Sequence, residues 1–155
     1  DGKFRFFPDW ASLGSNHKGM PSLPDHFDVI EKTTKDEPFR LVAAPARRFL
    51  NTTFTATPSS IRKEVRPTAL VHKSICQSLG LKDGDRVRLG NSRGNLVIHV
   101  KPFEGAQPDT IVVEGIWPNK AFEEGLGINA LVGAEPGFPA GGAAFHDTAI
   151  WLKAL

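Results

Sequence analysis

The chain has 155 residues, of which 19 are basic and 17 acidic, for a formal net charge of +2, with one cysteine, no tyrosine and 11 phenylalanines. That length suits one domain with some extra, large enough to fold without a staple of disulfides or metal. A nearly balanced charge with no dominant basic run is not that of a nucleic-acid binder, the lone Cys76 builds neither an internal disulfide nor an iron–sulfur or zinc cage, and no stretch approaches the ~18 apolar residues of a membrane span.

The first residues, DGKFRFFPDW, lack the apolar region of a signal peptide and carry no initiator Met, so the expectation is a chain cut from a longer protein. Residues 1–38 hold Pro8, Pro21, Pro24 and Pro38 with Gly14 and Gly19 between them, and their apolar residues come in clumps such as Phe4, Phe6, Phe7 and Trp10. Pro and Gly at this density break regular structure. The segment reads as a connector ending a preceding domain, with a short helix allowed around Asp25–Glu31. The remainder, 39–155, reads as the domain proper.

Phe39 to Ala44 is strand-like and ends at Pro45; Arg47, Arg48, Asn51, Thr52 and Thr53 come soon after. Residues 56–67 read as a basic loop with Arg62, Lys63 and Arg66. Thr68 to Leu79 places Ala69, Leu70, Ile75, Cys76 and Leu79 on roughly one helical face, with Thr68 as N-cap, Gly80 as C-cap and Cys76 as a buried thiol. Asp83-Gly84 signals a turn. Arg86–Leu89 and Asn95–Val100 alternate polar and apolar residues, as half-buried strands do, about a tight turn at Gly90–Gly94. Thr110–Glu114 is a further β-rich run, residues 119–143 are Gly-rich and irregular, and Asp147–Leu152 is the last strand candidate. Several short strands, one helix and long loops predict a mainly β barrel.

Some motifs dissolve in context. Gly90-Asn91-Ser92-Arg93-Gly94 matches the serine-hydrolase elbow, and His146 and Asp147 would be offered as partners. The elbow requires a following helix, however, and here a strand comes next, so a hairpin turn is expected. Gly125-Leu126-Gly127-Ile128-Asn129-Ala130 nearly matches a dinucleotide fingerprint but lacks its strand and helix, and reads as a glycine loop. None of His17, His26, His72, His99 and His146 stands at metal-ligand spacing with another His or with Cys. Asn51-Thr52-Thr53 is a glycosylation sequon by pattern alone. Arg47 and Arg48 beside Asn51, Thr52 and Thr53 can hold phosphate or polar heterocycles, or be a solvated pair. Trp117, on a loop flanked by Gly and Pro, can lie against a ring system or fill the core.

Taken in order, the segments resemble the C-terminal cofactor-binding domain of molybdopterin oxidoreductases of the dimethyl-sulfoxide-reductase and formate-dehydrogenase type, from about Phe39 to Leu152. Arg48–Phe54 is similar to the segment after that family's first strand, with Asn51 where a His is frequent. His72–Val87 is similar to its helix-and-turn signature and Asn91–Leu96 to its hairpin. Gly115-Ile116-Trp117 resembles its glycine–aromatic segment, and Gly127–Leu131 its Asn-x-Leu loop. Asp1–Phe6 also resembles the end of the preceding domain.

The resemblance implies a double-psi β-barrel, with one or a few short helices, that binds molybdopterin guanine dinucleotide. In the full enzyme this is expected as the bis form with molybdenum or tungsten. Arg48, Asn51, Thr52 and Thr53 would contact pterin or phosphate, Asn129 would hydrogen-bond the pterin, and Trp117 and His146 would lie nearby. The metal's protein ligand would come from an earlier domain, so no catalytic residue is assigned and the isolated chain is expected to be inactive. Expected partners are the preceding domains of the same polypeptide and, through them, a small-molecule redox substrate, with no nucleic acid and no membrane. A cytoplasmic location is favoured over a periplasmic one. The alternative is a double-psi barrel acting as a protein- or peptide-binding module, because fold does not fix function. Arg48–Thr53 and Asn129 on one polar groove would favour the cofactor, and a hydrophobic groove far from them the module.

Overall fold

The computed structural model describes residues 1–23, 25–137 and 141–155, the side chain of Asn16 excepted. Pro24, counted among the helix-breaking prolines, and residues 138–140 of the Gly-rich stretch lie outside the described residues. In chain order the regular elements are β1 (Phe39–Ala44), α1 (Pro58–Glu64), β2 (Thr68–Val71), α2 (Lys73–Ser78), β3 (Arg86–Gly90), β4 (Asn95–Pro102), β5 (Thr110–Glu114), β6 (Pro136–Gly137), β7 (Gly142–Ala143) and β8 (Thr148–Ala154). The chain forms two compact units, one of Asp1–Ile30 with Ala134–Ala144, the other of Glu31–Gly133 with Phe145–Leu155.

The second unit is a closed barrel in the order β1-β5-β2-β4-β3-β8. β1 pairs in parallel with β5 and β2 with β4, while the other four contacts around the barrel are antiparallel. Each parallel pair joins strands separated by other barrel strands in sequence. This is the double-psi β-barrel. Its interior follows the two-residue period of a strand: Ala69 and Val71, Val87 and Leu89, Leu96, Ile98 and Val100, Ile111 and Val113, and Ile150 and Leu152 all belong to one core cluster. Side chains fill the barrel, so any ligand must sit at an end of it.

All five predicted strands stand almost where expected, and the Gly90–Gly94 motif is the turn between β3 and β4, with Gly90 opposite Asn95. Three expectations need correction. Thr68 is no N-cap and 68–71 is no helix: Ala69 and Val71 alternate inward as β2, paired to β4 and β5, and His72 caps a shorter α2 by accepting the Ser74 N–H on its ring nitrogen. Tertiary pairing overrides a local helical pattern there. Cys76 does lie buried on that helix, and its burial pushes the thiol pKa up. The expected loop 56–67 contains α1, which starts on Pro58, where a missing N–H costs nothing, and carries Arg62 and Lys63 in its last turn, where they suit the negative helix terminus.

Around Asp25–Glu31 there is no helix. The Asp25 carboxylate takes the His26 N–H, a local bond that competes with helix formation. The first unit has short 3-10 turns at Trp10–Leu13 and Ser15–His17, and the β6–β7 pair. The Trp10 indole donates to the Pro21 carbonyl at 2.7 Å. Among the described residues no helix is long and apolar enough to cross a membrane.

Candidate functional site

Because β1 and β5 are parallel, both release the chain at the same end of the barrel. β1 continues into Pro45 and Ala46, and β5 into Gly115 and Ile116. Between these exits lies a cleft of about 430 Å³ whose walls include Ala43, Ala44, Pro45, Ala46, Gly115 and Ile116. This is within the ~300–1,000 Å³ typical of small-molecule sites. Small side chains on β1 leave the room. Gly115 is required at its position: φ is +87°, and a Cβ there would come within 3.0 Å of the Ala46 Cβ and 3.3 Å of the Phe49 ring. Its N–H closes the wall by donating to the Ala44 carbonyl at 2.8 Å.

Loops supply the rest of the lining: Ile128, Asn129, Val132, Phe145, His146 and Asn51. Asn51 sits in a tight turn closed by reciprocal backbone bonds between Leu50 and Thr53, 3.1 and 2.8 Å. Its φ of 51° is the left-handed conformation that Asn tolerates better than most residues. Asn129 rides on a 3-10 turn, Ile128–Leu131, anchored by the fully buried Leu131. His146 lies against the Phe145 ring, centroids 4.5 Å apart. It precedes Asp147, whose carboxylate pairs with Arg40 of β1 at 3.0 Å.

Asn51, Asn129 and His146 thus share one cleft. The other four predicted residues do not line it. Arg48, Thr52 and Thr53 are exposed on the Asn51 loop, where the Arg48 backbone N–H donates to Glu64 at 2.8 Å and the Thr52 carbonyl accepts the Thr55 hydroxyl. Trp117 is half-buried, packs against the core and meets Phe49 edge-on at 4.7 Å. It buttresses the Gly115 wall and borders a separate, charged cleft with Lys63, Arg66 and His99. Ser92 is in a hairpin turn and uses its backbone N–H on Glu37. The glycine loop at 125–130 runs into a 3-10 turn, not the α-helix of a dinucleotide fingerprint.

Sequence reasoning missed the apolar walls. Ala43 to Ala46, a run of small residues around a proline, was their one signal. It also missed the clamp on the loop that carries Asn129. Arg88 grips Glu124 with two bonds of 2.8 and 2.6 Å and also reaches the Asn95 side chain at 2.5 Å, while Arg86 pairs with Glu123 at 3.1 Å. The hydrogen bonds from Arg88 hold the Glu124 carboxyl below the usual carboxylate range.

No Asp, Glu, Lys or Arg side chain lines the apolar cleft among the described residues. The expected polar groove is therefore a largely apolar slot whose lining includes two amides and an imidazole. Two amides, each with donors and an acceptor, and one imidazole can address the edge of a flat heterocycle whose faces lie on the Ala, Ile, Val and Phe walls. Arg47 and Arg48, exposed on the adjoining loop, are within the same segment as Asn51 and suit phosphate oxygens. The donor set fits a polar ring system bearing phosphate better than it fits a metal or a nucleophile's substrate.

Comparison with known proteins bears on this directly. The family described as Molydopterin dinucleotide binding domain matches residues 39–149. The chain is 31% identical over 135 residues to a probable oxidoreductase, YoaE, of Bacillus subtilis (strain 168), covering 87% of this chain and 19% of that protein. It is 28% identical over 139 residues to the menaquinone reductase molybdopterin-binding-like subunit of Nitratidesulfovibrio vulgaris, covering 81% of this chain and 19% of that one. Among solved structures, acetylene hydratase from Pelobacter acetylenicus shares the fold with a TM-score of 0.69 at 16% identity, covering 88% of this chain and 22% of the other. The chain spans about a fifth of the length of the curated relatives it matches.

Proposed function

This chain belongs to the molybdopterin dinucleotide binding domain family, and from that premise we propose that its apolar cleft holds the ring system of molybdopterin guanine dinucleotide for an oxidoreductase completed by other domains. The observation that carries the reading is the convergence of Asn51, Asn129 and His146, from three separate loops, on one cleft at the exits of β1 and β5. Residues 39–155 are read as the cofactor-binding domain and residues 1–38 as the end of a preceding one.

When bound, such a cofactor supplies redox chemistry at molybdenum or tungsten, in the bis form with a second pterin; the protein supplies orientation and electrostatics. Asn129 and Asn51 offer amide groups to the ring edge, and His146 offers a ring nitrogen. The walls from Ala43 to Ala46 and from Ile128 to Val132 exclude water from the ring faces. Arg48, with Thr52 and Thr53, meets the phosphates beyond the rim. Trp117 acts from behind the wall through Phe49 and Gly115 rather than by contact. The metal's protein ligand and the small-molecule substrate belong to the preceding domains, and the isolated 155-residue chain turns over nothing. A cytoplasmic location goes with this reading.

The test is an anaerobic titration of the 155-residue chain with metal-free molybdopterin guanine dinucleotide, monitored by tryptophan fluorescence. Asn129→Ala is expected to weaken binding about tenfold, the worth of one or two good hydrogen bonds. Saturable binding unaffected by that substitution, or turnover of a redox substrate by these residues alone, overturns the proposal. The apolar walls also serve a second reading as a peptide-binding module, which gains only if an apolar peptide, and not the dinucleotide, saturates the cleft.

A further inference from the structure

The hairpin turn set aside as a false serine elbow holds a densely bonded polar cluster. Asn91 is only 9% exposed. Its amide nitrogen donates to the Leu131 carbonyl at 2.7 Å and to the Ala149 carbonyl at 3.3 Å, and its amide oxygen accepts the N–H groups of Arg93 at 3.0 Å and Gly94 at 3.3 Å. Every hydrogen-bonding position of that side chain is filled. Arg93 donates from Nε to the same Leu131 carbonyl at 2.8 Å, and its terminal nitrogen pairs with the Glu31 carboxylate. The second oxygen of Glu31 accepts the Ala149 N–H at 2.7 Å.

These bonds tie three pieces together. Leu131 ends the 3-10 turn that carries Asn129, and Ala149, three residues after His146, lies at the start of β8. Leu131 receives two donors on one carbonyl, and Ala149 has both its N–H and its carbonyl engaged. The approach is also sterically set: a Cβ on Gly94 would stand 3.0 Å from the Ala130 carbonyl oxygen, so the hairpin presses directly on the Asn129 turn. Glu37 adds a second strap by accepting the Ser92 N–H at 3.0 Å.

We propose that Asn91, Arg93 and Glu31 are positioning residues that fix the Asn129 turn against the start of β8, and so set the spacing of Asn129 and His146 in the lining of the cofactor cleft. The inference rests on the reading of Asn129 as a cofactor contact. None of the three side chains lines the cleft; they act through the Leu131 and Ala149 backbone. Reach and geometry decide the residue types. Only a guanidinium gives one N–H to a carbonyl and another to a carboxylate from a rigid plane, and the Glu31 carboxylate takes Arg93 on one oxygen and the Ala149 N–H on the other, with a charge to match the guanidinium.

The experiment uses Arg93→Lys and Glu31→Gln in the 155-residue chain, both milder than loss of the buried Asn91, with Ser92→Ala as the control in the same turn. Amide hydrogen exchange is read at Ala130 and Val132, with Val97 and Ile98 of β4 as internal references. Affinity for metal-free molybdopterin guanine dinucleotide is read alongside, in each variant and in Arg93→Lys combined with Asn129→Ala. The expected result is exchange about tenfold faster at 130 and 132 with β4 unchanged, binding about fivefold weaker, and a double variant that binds no worse than Asn129→Ala alone. Unchanged exchange at 130 and 132 overturns the positioning role and leaves the cleft reading intact if Asn129→Ala still weakens binding. The same loosening in Ser92→Ala also overturns it, since the turn as a whole would then be responsible. Wild-type affinity in Asn129→Ala overturns the cleft reading beneath it, whatever the exchange shows.

Discussion

The two parallel strand pairs of the barrel are built alike and finished differently. β2 and β4 run antiparallel to β5 and to β3, so their exits lie at the opposite end from those of β1 and β5. At the β2 exit the chain turns directly into α2, which lays Cys76 into the core cluster with Leu81 behind it, and the Phe103 N–H closes the pair by donating to the Val71 carbonyl at 2.8 Å. At the β1 and β5 exits the chain enters no such helix. Pro45, Ala46, Gly115 and Ile116 lead into long loops, and the space a helix would fill is the cleft. The same ladder thus gives a plugged end that serves stability and an open end that holds the proposed binding cleft, and the difference lies in the segments that leave the strands: a helix at one end, loops at the other.

That contrast breaks most sharply at Gly115. Gly115→Val must adopt a left-handed backbone and push the Ala46 Cβ and the Phe49 ring; each cost is ~1–3 kcal/mol, so a loss of roughly 3 kcal/mol is expected in urea unfolding, with dinucleotide binding abolished. The plugged end should respond differently. Leu81→Ala removes a buried side chain beside Cys76 and is expected to cost about 2–3 kcal/mol while leaving the affinity of the folded fraction within about twofold. If Leu81→Ala weakens binding as much as Gly115→Val, the two ends are not separable. A smaller, cleaner effect belongs to Asn51, whose φ is 51°. Asn51→Ala should cost about 1 kcal/mol through backbone strain. Asn51→Gly should keep stability within about 0.5 kcal/mol and still lose the amide's share of binding, about fivefold by titration.

The strands of the barrel were more legible than the loops at the open end, though not without error. The hairpin from Arg86 to Val100 alternates with a period of two and has its turn residues between, so both strands and the turn could be read from local pattern. At 68–79 local pattern misled: Ala69 and Leu70 fit a helical face with Ile75, but Ala69 points into the barrel because β4 and β5 flank it. Pro58 at the first helical position and the Ser59-Ser60 pair disguised α1 as a loop. The open end is legible only in pieces. Asn51, Asn129 and His146 were singled out through family resemblance, and no periodicity links residues 51, 129 and 146, because only the closure of the barrel brings them together. Arg93 stood in plain view inside the Gly90–Gly94 motif, but its partners at 31 and 131 are set by tertiary structure. A residue that works through another segment's backbone carbonyl leaves no mark in its own local sequence.

The smallest effect tests whether barrel stability has a pH dependence that belongs to neither end. His99 stands on β4 opposite Arg86 and beside β2, where burial, then the positive charges of Arg66 and Arg86, push its pKa below the ordinary imidazole value, opposed by Glu123 at 3.4 Å. In the unfolded chain the same imidazole binds its proton at about pH 6.5. As the pH falls below that value the unfolded state therefore takes up a proton that the folded state still refuses, and stability falls until the folded-state pKa is passed. Above that window His99 is neutral in both states and contributes no slope. His99→Gln should flatten the decline in urea-unfolding free energy just below pH 6.5 and change nothing near pH 8. The slope left in the variant then measures the other groups, among them Glu104 and Glu124, whose pKa values are lowered by hydrogen bonds from Lys73 and Arg88 and which act at lower pH, as they become protonated. A decline as steep in His99→Gln as in the parent chain would mean that the proton is taken up elsewhere. Dinucleotide affinity that shifts with His99→Gln near pH 8 would mean that the β4 wall and the open end are coupled, and that the division between a stabilising end and a binding end is too simple.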